Sequence, residues 1–444
     1  MNIIPVALIL SSVCRMAHSE PTTQDLLHYR LQIRIEPAAH KLEVDAWIRH
    51  RPASRFYLCK GCAVRRVEAD GKAVKYGLDR SAPRLPFSPE STVIAVDAPD
   101  AQELHIQYAG ELSEVIAQVN MISPELIELA LYSVWYPMFP GFPEFTFELE
   151  ANLPDGFLTT TNGEQTAQRE QDGRRVTSWR SFKPGIDMVL LASPFLHRLE
   201  GGTAQTKVEV DYYQLPAPLI QTKIDGLAAG MAKLSAYYGA PRLSGTLRLV
   251  YTPRDGWGYS RIPLIVVSEQ RAKGVLSDAN GEAMDFRDNA HELAHFWWTI
   301  ADPGTPNDWI NEGLAEFSAF RLAEWRFGPA FKDARLAEYR QNALQNKTAD
   351  SIAETAGDSP DREINRYDKA ALMFLEAQQR FGQEPLDRLL KEIHTRFTGT
   401  MNATTAIFLE EAGRQMGSQA EAYFRAELYR KPGAGSTKDT EGKH

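Results

Sequence analysis

Apolar and polar residues alternate along most of the first half of the chain. From about residue 26 to residue 212, successive segments place apolar side chains at every second position, and turn residues such as Asp70-Gly71 and Asn162-Gly163 separate them. Examples are "YRLQIRIEP", "LEVDAWIRH", "LHIQYAG", "FTFELEANL" and "KVEVDYYQL". Because alternation places the apolar residues of a strand on one face, the pattern predicts an antiparallel sheet or sandwich with one buried face per sheet.

The periodicity changes to that of helices after Pro216. The stretch "APLIQTKIDGLAAGMAKLSAYYGA" predicts a helix that ends near Gly239, and "GTLRLVYTP" and "IPLIVVSE" predict two further strands. From Glu312 onward the chain is mainly helical, and no internal repeat occurs. The fold class is therefore predicted as α+β, with an N-terminal β-domain over residues 20–212 and a mainly helical domain over residues 213–432.

Both ends of the chain have compositions that differ from the rest. An apolar run from Ile3 to Cys14 is too short to span a bilayer and is typical of a signal peptide, here residues 1–19. An uncleaved anchor or a buried N-terminal strand are the alternatives. Cleavage predicts an exported chain, periplasmic or extracellular, that keeps no membrane span. Residues 433–444 lack large apolar side chains and are predicted to be disordered.

Charge and cysteine content restrict the function further. The formal net charge is −9 and no run of Lys and Arg occurs, which argues against nucleic acid as a partner. Of three cysteines, Cys14 would leave with the signal peptide. Cys59 and Cys62 favour a local disulfide in an oxidising compartment, while two free thiols, a redox-active pair or half of a zinc ribbon are the alternatives.

The sequence His291-Glu292-Leu293-Ala294-His295 combines two histidines one helical turn apart with a glutamate beside the first. On a helix both imidazoles project from one face, as two ligands of a single ion must, and Glu292 lies about 100° further round, suitably placed for a general base. The alternative is an amphipathic core helix whose histidines satisfy backbone groups. Such a helix has no need of this particular arrangement.

A second stretch, "WINEGLAEF", supplies two more carboxylates. Glu312 and Glu316 share a helical face with apolar side chains, namely Ala315, Ala319, Phe320, Ala323 and Phe327. Carboxylates on an apolar face need a partner. We expect Glu312 to be the third metal ligand and Glu316 to accept a ring N–H from His291 or His295, with a salt bridge from Glu316 to a nearby arginine as the alternative.

Two histidines and one glutamate leave a coordination position for water, as in catalytic zinc sites. This donor set predicts one Zn²⁺ per chain, although cobalt or manganese could bind it in vitro. With Glu292 as proton acceptor, hydrolysis of an amide is the natural reaction, and peptides are the expected substrates.

HELAHFWW, WINEGLAEF and "RYDKAALMF" together resemble the aminopeptidase N family of gluzincin zinc metallopeptidases. The resemblance covers roughly residues 26 to 430 and implies a thermolysin-like catalytic domain without the large C-terminal helical domain of the family. It implies zinc ligation by His291, His295 and Glu312, a general base at Glu292, and a hydroxyl at Tyr367 that stabilises the oxyanion.

Three departures from the family pattern stand out. The spacer from His295 to Glu312 is 16 residues, shorter than in the family, and Ala370 replaces a glycine. The motif G-x-M-E-N, whose glutamate binds the α-amine of the substrate, is not recognisable. The resemblance suggests Glu128 as an amine-binding side chain, and Glu269 follows a strand that could face the cleft; a solvated surface position is the alternative for each.

The sequence thus predicts an aminopeptidase that acts on short peptides, with peptide backbone adding to an edge strand at Leu264 to Ser268. The missing amine-binding motif favours the alternative of an endopeptidase or processing protease on the same scaffold. A binding or accessory protein with a non-catalytic zinc site is a third hypothesis, against which Glu292 and Tyr367 argue, because neither is needed to hold a metal.

Overall fold

The structure is a computed structural model that describes residues 26–50, 52–85, 87–113, 121–181, 183–243, 245–256 and 258–431. The predicted signal peptide, residues 1–19, and the predicted tail, residues 433–444, lie outside these ranges. The chain divides into two compact units: over the described residues, the first contains 26–228 and 243–279, and the second contains 229–242 and 280–431. The domain boundary expected after residue 212 stays a prediction.

The first unit is built mainly from strands. In chain order they are β1 Leu27–Glu36, β2 Lys41–Arg49, β3 Arg55–Leu58, β4 Ala63–Ala69, β5 Lys72–Ala73, β6 Tyr76–Leu78, β7 Thr92–Val96, β8 Glu103–Glu111, β9 Met121–Ile122, β10 Ile127–Leu129, β11 Phe145–Pro154, β12 Leu158–Thr161, β13 Glu164–Gln171, β14 Arg174–Arg180, β15 Leu190–Ser193, β16 His197–Gly202, β17 Lys207–Tyr212, β18 Leu247–Thr252, β19 Tyr259–Arg261 and β20 Leu264–Ser268.

These strands form four sheets. The largest has the order β13-β14-β11-β1-β2-β8-β4-β5, and the others are β12-β15-β10-β9, β16-β17-β18-β20-β19 and β3-β7-β6. Alternate residues of β1 and β2 are buried, as the alternating sequence predicts. Most pairings are antiparallel. Strand β18 pairs in parallel with β17 and β20, and β1 pairs in parallel with β11. The long connection between these two strands makes the parallel pairing possible.

Two features of the sheets differ from expectation. Strand β13 is polar and exposed along nearly its whole length, so it shows no alternation; it forms the edge of the largest sheet by pairing with β14. The prediction of an edge strand at Leu264–Ser268 is wrong, because the short antiparallel strand β19 pairs with β20 and occupies the edge itself.

Helices make up the second unit. The α-helices of the chain are α1 Ala217–Tyr238, α2 Glu269–Leu276, α3 Gly281–Ala294, α4 Trp309–Phe327, α5 Pro329–Ala343, α6 Ala370–Phe381, α7 Gln383–Phe397, α8 Thr405–Met416 and α9 Ser418–Leu428. Short 3₁₀ helices occur at Pro37–Ala39, Leu131–Ser133, Pro306–Asp308 and Ile352–Glu354, and a π-helix spans Ile364–Lys369. This arrangement, an N-terminal β-domain followed by helices, confirms the predicted α+β class.

Cys59 and Cys62 form the local disulfide that their spacing favours. Both sulfur atoms pack against Gly110 of β8: a Cβ atom built there would lie 2.6 Å from Cys62 Sγ and 3.2 Å from Cys59 Sγ. Across the described residues, the helices are either too short or too polar to cross a membrane.

Helix α4 approaches the start of α6 closely at Gly313. A Cβ atom at this position would lie 2.5 Å from Cβ of Ala370 and 3.2 Å from the carbonyl oxygen of Arg366. Since Ala370 is fully buried, neither side can move into solvent. The side chain of Ala370 therefore fits at this contact because the facing residue of α4 is a glycine.

We expect Gly313→Ala to destabilise the protein by about 1–3 kcal/mol, because it overpacks this contact. Urea unfolding measures the loss. Adding Ala370→Gly should restore part of it, and Gly274→Ala on α2, where nothing lies within 4 Å of the new Cβ, serves as the control and should not destabilise. If the changes in unfolding free energy caused by Gly313→Ala and Ala370→Gly were strictly additive, the contact between residues 313 and 370 would not be the cause of the destabilisation.

Candidate metal centre

Helices α3 and α4 pack against each other and carry the residues singled out by the sequence. His291 and Glu292 lie in the last turn of α3, and His295 follows its final residue with helical backbone angles. The two imidazole rings lie 5.0 Å apart between centroids. Glu312 lies in the first turn of α4, and Glu316 lies one turn further along.

The structure brings His291, His295 and Glu312 together. Glu312 Oε2 lies 3.4 Å from His291 Nε2 and 3.6 Å from His295 Nε2. Donor atoms about 2.0–2.2 Å from one tetrahedral ion lie roughly 3.3–3.5 Å from each other. Among the residues that the structure describes, this is the one group of three or more His, Cys, Asp or Glu side chains arranged to hold a metal ion.

Glu312 Oε2 provides a test of whether a cation fits. This oxygen is buried and has no hydrogen-bond partner within the described part of the chain, an arrangement that costs free energy unless a positive group satisfies it. The two carboxylates also favour a positive charge here. Burial lowers the pKa of His291, but Glu312 and Glu316 outweigh burial and raise this pKa to about 10. The site therefore favours a positive charge at its centre.

Both histidines are oriented with Nε2 toward Glu312. His291 Nδ1 lies 3.0 Å from Glu316 Oε2, and His295 Nδ1 lies 3.2 Å from the carbonyl oxygen of Trp298. A carbonyl only accepts hydrogen bonds, so Nδ1 of His295 carries the proton, and the carboxylate imposes the same tautomer on His291. In neutral rings this leaves the lone pair of each Nε2 directed toward the proposed ion.

Glu316 is completely buried and accepts several hydrogen bonds. Its Oε1 accepts from the guanidinium groups of Arg287 and Arg335 and from the hydroxyl of Tyr339. Burial alone would raise the pKa of Glu316, but Arg287, His291 and Arg335 hold it well below its usual range. The histidine partner and the arginine partner that the sequence offered as alternatives thus occur together.

Arg335 and Tyr339 were not anticipated from the sequence, which predicted a mainly helical chain after Glu312 but did not connect any residue of this segment with Glu316. They lie one turn apart on α5. The sequence shows that these two polar side chains share one face of the helix. It does not show that this face meets a glutamate on another helix.

Tyr367 also lies at this centre and, like Glu292, is half-buried. Glu292 is adjacent to His291 on α3. Tyr367 belongs to the π-helix, and its ring stacks on the His291 ring at 5.4 Å with the planes 14° apart. Burial and the nearby Glu312 raise the pKa of Tyr367 well above its usual value, so the phenol keeps its proton and can donate it in a hydrogen bond.

Glu128 and Glu269 are not surface residues, so the solvated alternative is wrong for both. Glu128 on β10 is fully buried, with its oxygens 3.0 and 3.1 Å from Arg254 Nε and 3.1 Å from the hydroxyl of Tyr259. Glu269 is 2% exposed and accepts the backbone N–H groups of Tyr213 and Gln214 at 2.8 and 2.9 Å. Both carboxylates already have partners within the first unit.

Comparison with known proteins was made by sequence and by structure. No protein-family model matches the chain. No curated protein matches it in sequence. Solved structures do match, and they include zinc metallopeptidases and an LTA4 hydrolase.

One match is a mutant M1 zinc metallopeptidase from Deinococcus radiodurans with the substrate Tyr-Ser-Ala bound: TM-score 0.71, 19% identity, 91% of this chain and 94% of that chain covered. A two-domain M1 zinc metallopeptidase mutant with L-tryptophan bound matches with TM-score 0.71, 17% identity and coverage of 92% and 94%. Native yeast LTA4 hydrolase matches with TM-score 0.68, 14% identity and coverage of 95% and 71%. The chain therefore has the fold of the M1 zinc metallopeptidases.

We expect Glu316→Gln to weaken zinc binding by roughly 10-fold to 100-fold, because a neutral amide fixes the His291 ring less firmly and removes the buried negative charge that Arg287 and Arg335 share. Competition with a chelator measures the dissociation constant on folded protein. Glu411→Gln is the matched control, since Glu411 is a buried carboxylate that pairs with Arg414 on α8. Equal zinc affinity in both variants would mean that Glu316 does not orient the metal site.

Proposed function

We propose that the protein is a zinc-dependent metallopeptidase. The observation that carries the proposal is the convergence of two tautomer-fixed Nε2 atoms and the unpartnered Oε2 of Glu312. His291, His295 and Glu312 would hold the ion. Their donor types suit zinc and leave a position for water. The fold of the solved zinc metallopeptidases supports the same conclusion.

A zinc ion at this site supplies a Lewis acid that polarises the scissile carbonyl and makes water more acidic. The Glu292 carboxylate accepts a proton from the attacking water and passes it to the nitrogen of the leaving amine. The Tyr367 hydroxyl donates a hydrogen bond to the oxygen of the scissile carbonyl as negative charge develops there. Glu316 keeps the His291 ring in place throughout.

Within this class, we propose an aminopeptidase that acts on short peptides. The sequence motifs support this choice, as do the tripeptide and the single amino acid bound to the M1 structures described above. A specific observation favours the alternative of an endopeptidase or processing protease. Glu128 and Glu269, the candidate amine ligands, already bind Arg254, Tyr259 and backbone N–H groups. Export remains part of the proposal, on the evidence of residues 1–19.

Cleavage of one short peptide series with free and with acetylated N-termini, with and without a zinc chelator, tests the proposal when products are identified by mass. We expect loss of single N-terminal residues from the free peptides only, abolished by the chelator. Internal cuts that ignore acetylation would establish the endopeptidase instead. Zinc binding without cleavage of either series would support a non-catalytic zinc protein.

We expect Glu292→Gln to keep its zinc and to lower kcat by roughly 10²-fold to 10⁴-fold, because the amide cannot accept the proton of the water. Metal analysis and steady-state kinetics on the same preparation separate the two effects. Turnover at the wild-type rate in Glu292→Gln, with activity lost in Glu312→Gln, would refute the role of Glu292. Turnover at the wild-type rate in both variants would reveal a contaminating peptidase.

A further inference from the structure

Arg362 places a buried cation next to Glu312. Its side chain is 3% exposed, and its Nη2 lies 3.4 Å from Glu312 Oε1 and 3.4 Å from Asp308 Oδ2. The guanidinium carbon lies 5.7 Å from the centroid of the Tyr367 ring. The preceding residue, Asp361, accepts the backbone N–H of Lys347 at 2.8 Å, which holds the chain in place at this point.

Arg366, one turn further on, has a different environment. Its Nη1 donates to Asp308 Oδ2 at 2.6 Å, and its Nη2 donates to the carbonyl oxygens of Thr305 and Thr355 at 3.2 and 2.8 Å. These bonds tie two loops to the π-helix, as expected of an arginine that stabilises the fold. The positive charge of Arg366 also balances the negative charge of Asp308. Asp308 by itself therefore does not require the second guanidinium of Arg362.

The hydrogen bonding of Arg362 is incomplete by comparison. Its Nε and Nη1 are buried and lack hydrogen-bond partners among the residues described. A guanidinium has five N–H donors, and leaving some of them buried without acceptors costs free energy. Arg362 therefore interacts with Asp308 and the Tyr367 hydroxyl and lies close to Glu312, whose charge it partly balances.

The two oxygens of Glu312 have different neighbours. Oε1 lies near Arg362, whereas Oε2 lies near His291 Nε2 and His295 Nε2. Carboxylates bind metal ions through either one or both oxygens. An oxygen that interacts with a fixed cation is a weaker metal ligand, and Oε2 is the oxygen that faces the two histidines.

We propose that Arg362 is a positioning residue: it retains Glu312 Oε1, so that the metal is bound through Oε2 alone and keeps an open position for water and the substrate carbonyl. This inference rests on the proposed zinc site. It assigns to Arg362 a role that Arg366, with its loop contacts, does not share.

The test uses the full chain loaded with Co²⁺, whose visible absorption is stronger in four-coordinate than in five-coordinate sites. In Arg362→Met, the released Oε1 can join the coordination, so we expect weaker visible bands and a kcat reduced by roughly 10-fold to 100-fold with KM little changed. Arg362→Lys retains the cation and should recover most of both properties.

Arg321→Met is the matched control, because Arg321 is a buried arginine whose guanidinium pairs with Asp387 and the hydroxyl of Tyr238. It should lose stability but keep the wild-type cobalt spectrum. If Arg362→Met does not fold, the neutral Arg362→Gln replaces it, with a smaller change in the same direction.

A wild-type spectrum in the neutral Arg362 variant overturns the role of Arg362, while the proposed function stands. Failure of the wild-type chain to bind cobalt or zinc overturns both. Metal binding by the wild-type chain without peptide cleavage removes the proposed function, and the cobalt spectra then still decide whether Arg362 controls the coordination of Glu312.

Discussion

The burial of Glu316 is the constraint on which the metal centre depends. A carboxylate with no access to water is tolerated only when cations and donors surround it. For Glu316 on α4 they come from two other helices: Arg287 and His291 on α3, and Arg335 and Tyr339 on α5. Removing one member of such a group leaves the others buried without compensation. The contacts that hold the helices together are therefore the same contacts that orient the His291 ring.

Close backbone packing adds a second constraint. At Gly313, α4 leaves no room for a side chain against Ala370, and the segment just before Ala370 is the π-helix that carries Tyr367. A π-helix contains more residues per turn than an α-helix and so changes the direction in which its side chains project. Tyr367 consequently lies flat against His291. The stacked rings couple the proposed oxyanion donor to a proposed metal ligand.

The sequence predicts those parts of the molecule whose pattern is local. Strands β1 and β2 alternate strictly, and the spacing of His291, His295 and Glu312 follows from the geometry of one helix turn and of two packed helices. Strand β13 was missed because its polar sequence carries no periodic burial. A salt bridge from Glu316 to an arginine was among the alternatives, but the particular arginines that pair with Glu128 and Glu316 could not be identified. They are distant in sequence, and no pattern within a single element points to them.

The location of these residues also separates two aspects of the proposed activity. The proposed metal ligands, Glu292, Tyr367 and Arg362 all belong to the second unit, whereas Glu128 and Glu269 belong to the first. An exopeptidase needs a charge that recognises the α-amine of its substrate, in addition to the groups that break the bond. Because Arg254 already balances the charge of Glu128, binding an ammonium there would require the displacement of a buried guanidinium. Under the proposed function, bond cleavage therefore depends on residues of the second unit, whereas Arg254 in the first unit decides whether the Glu128 carboxylate is available to an ammonium.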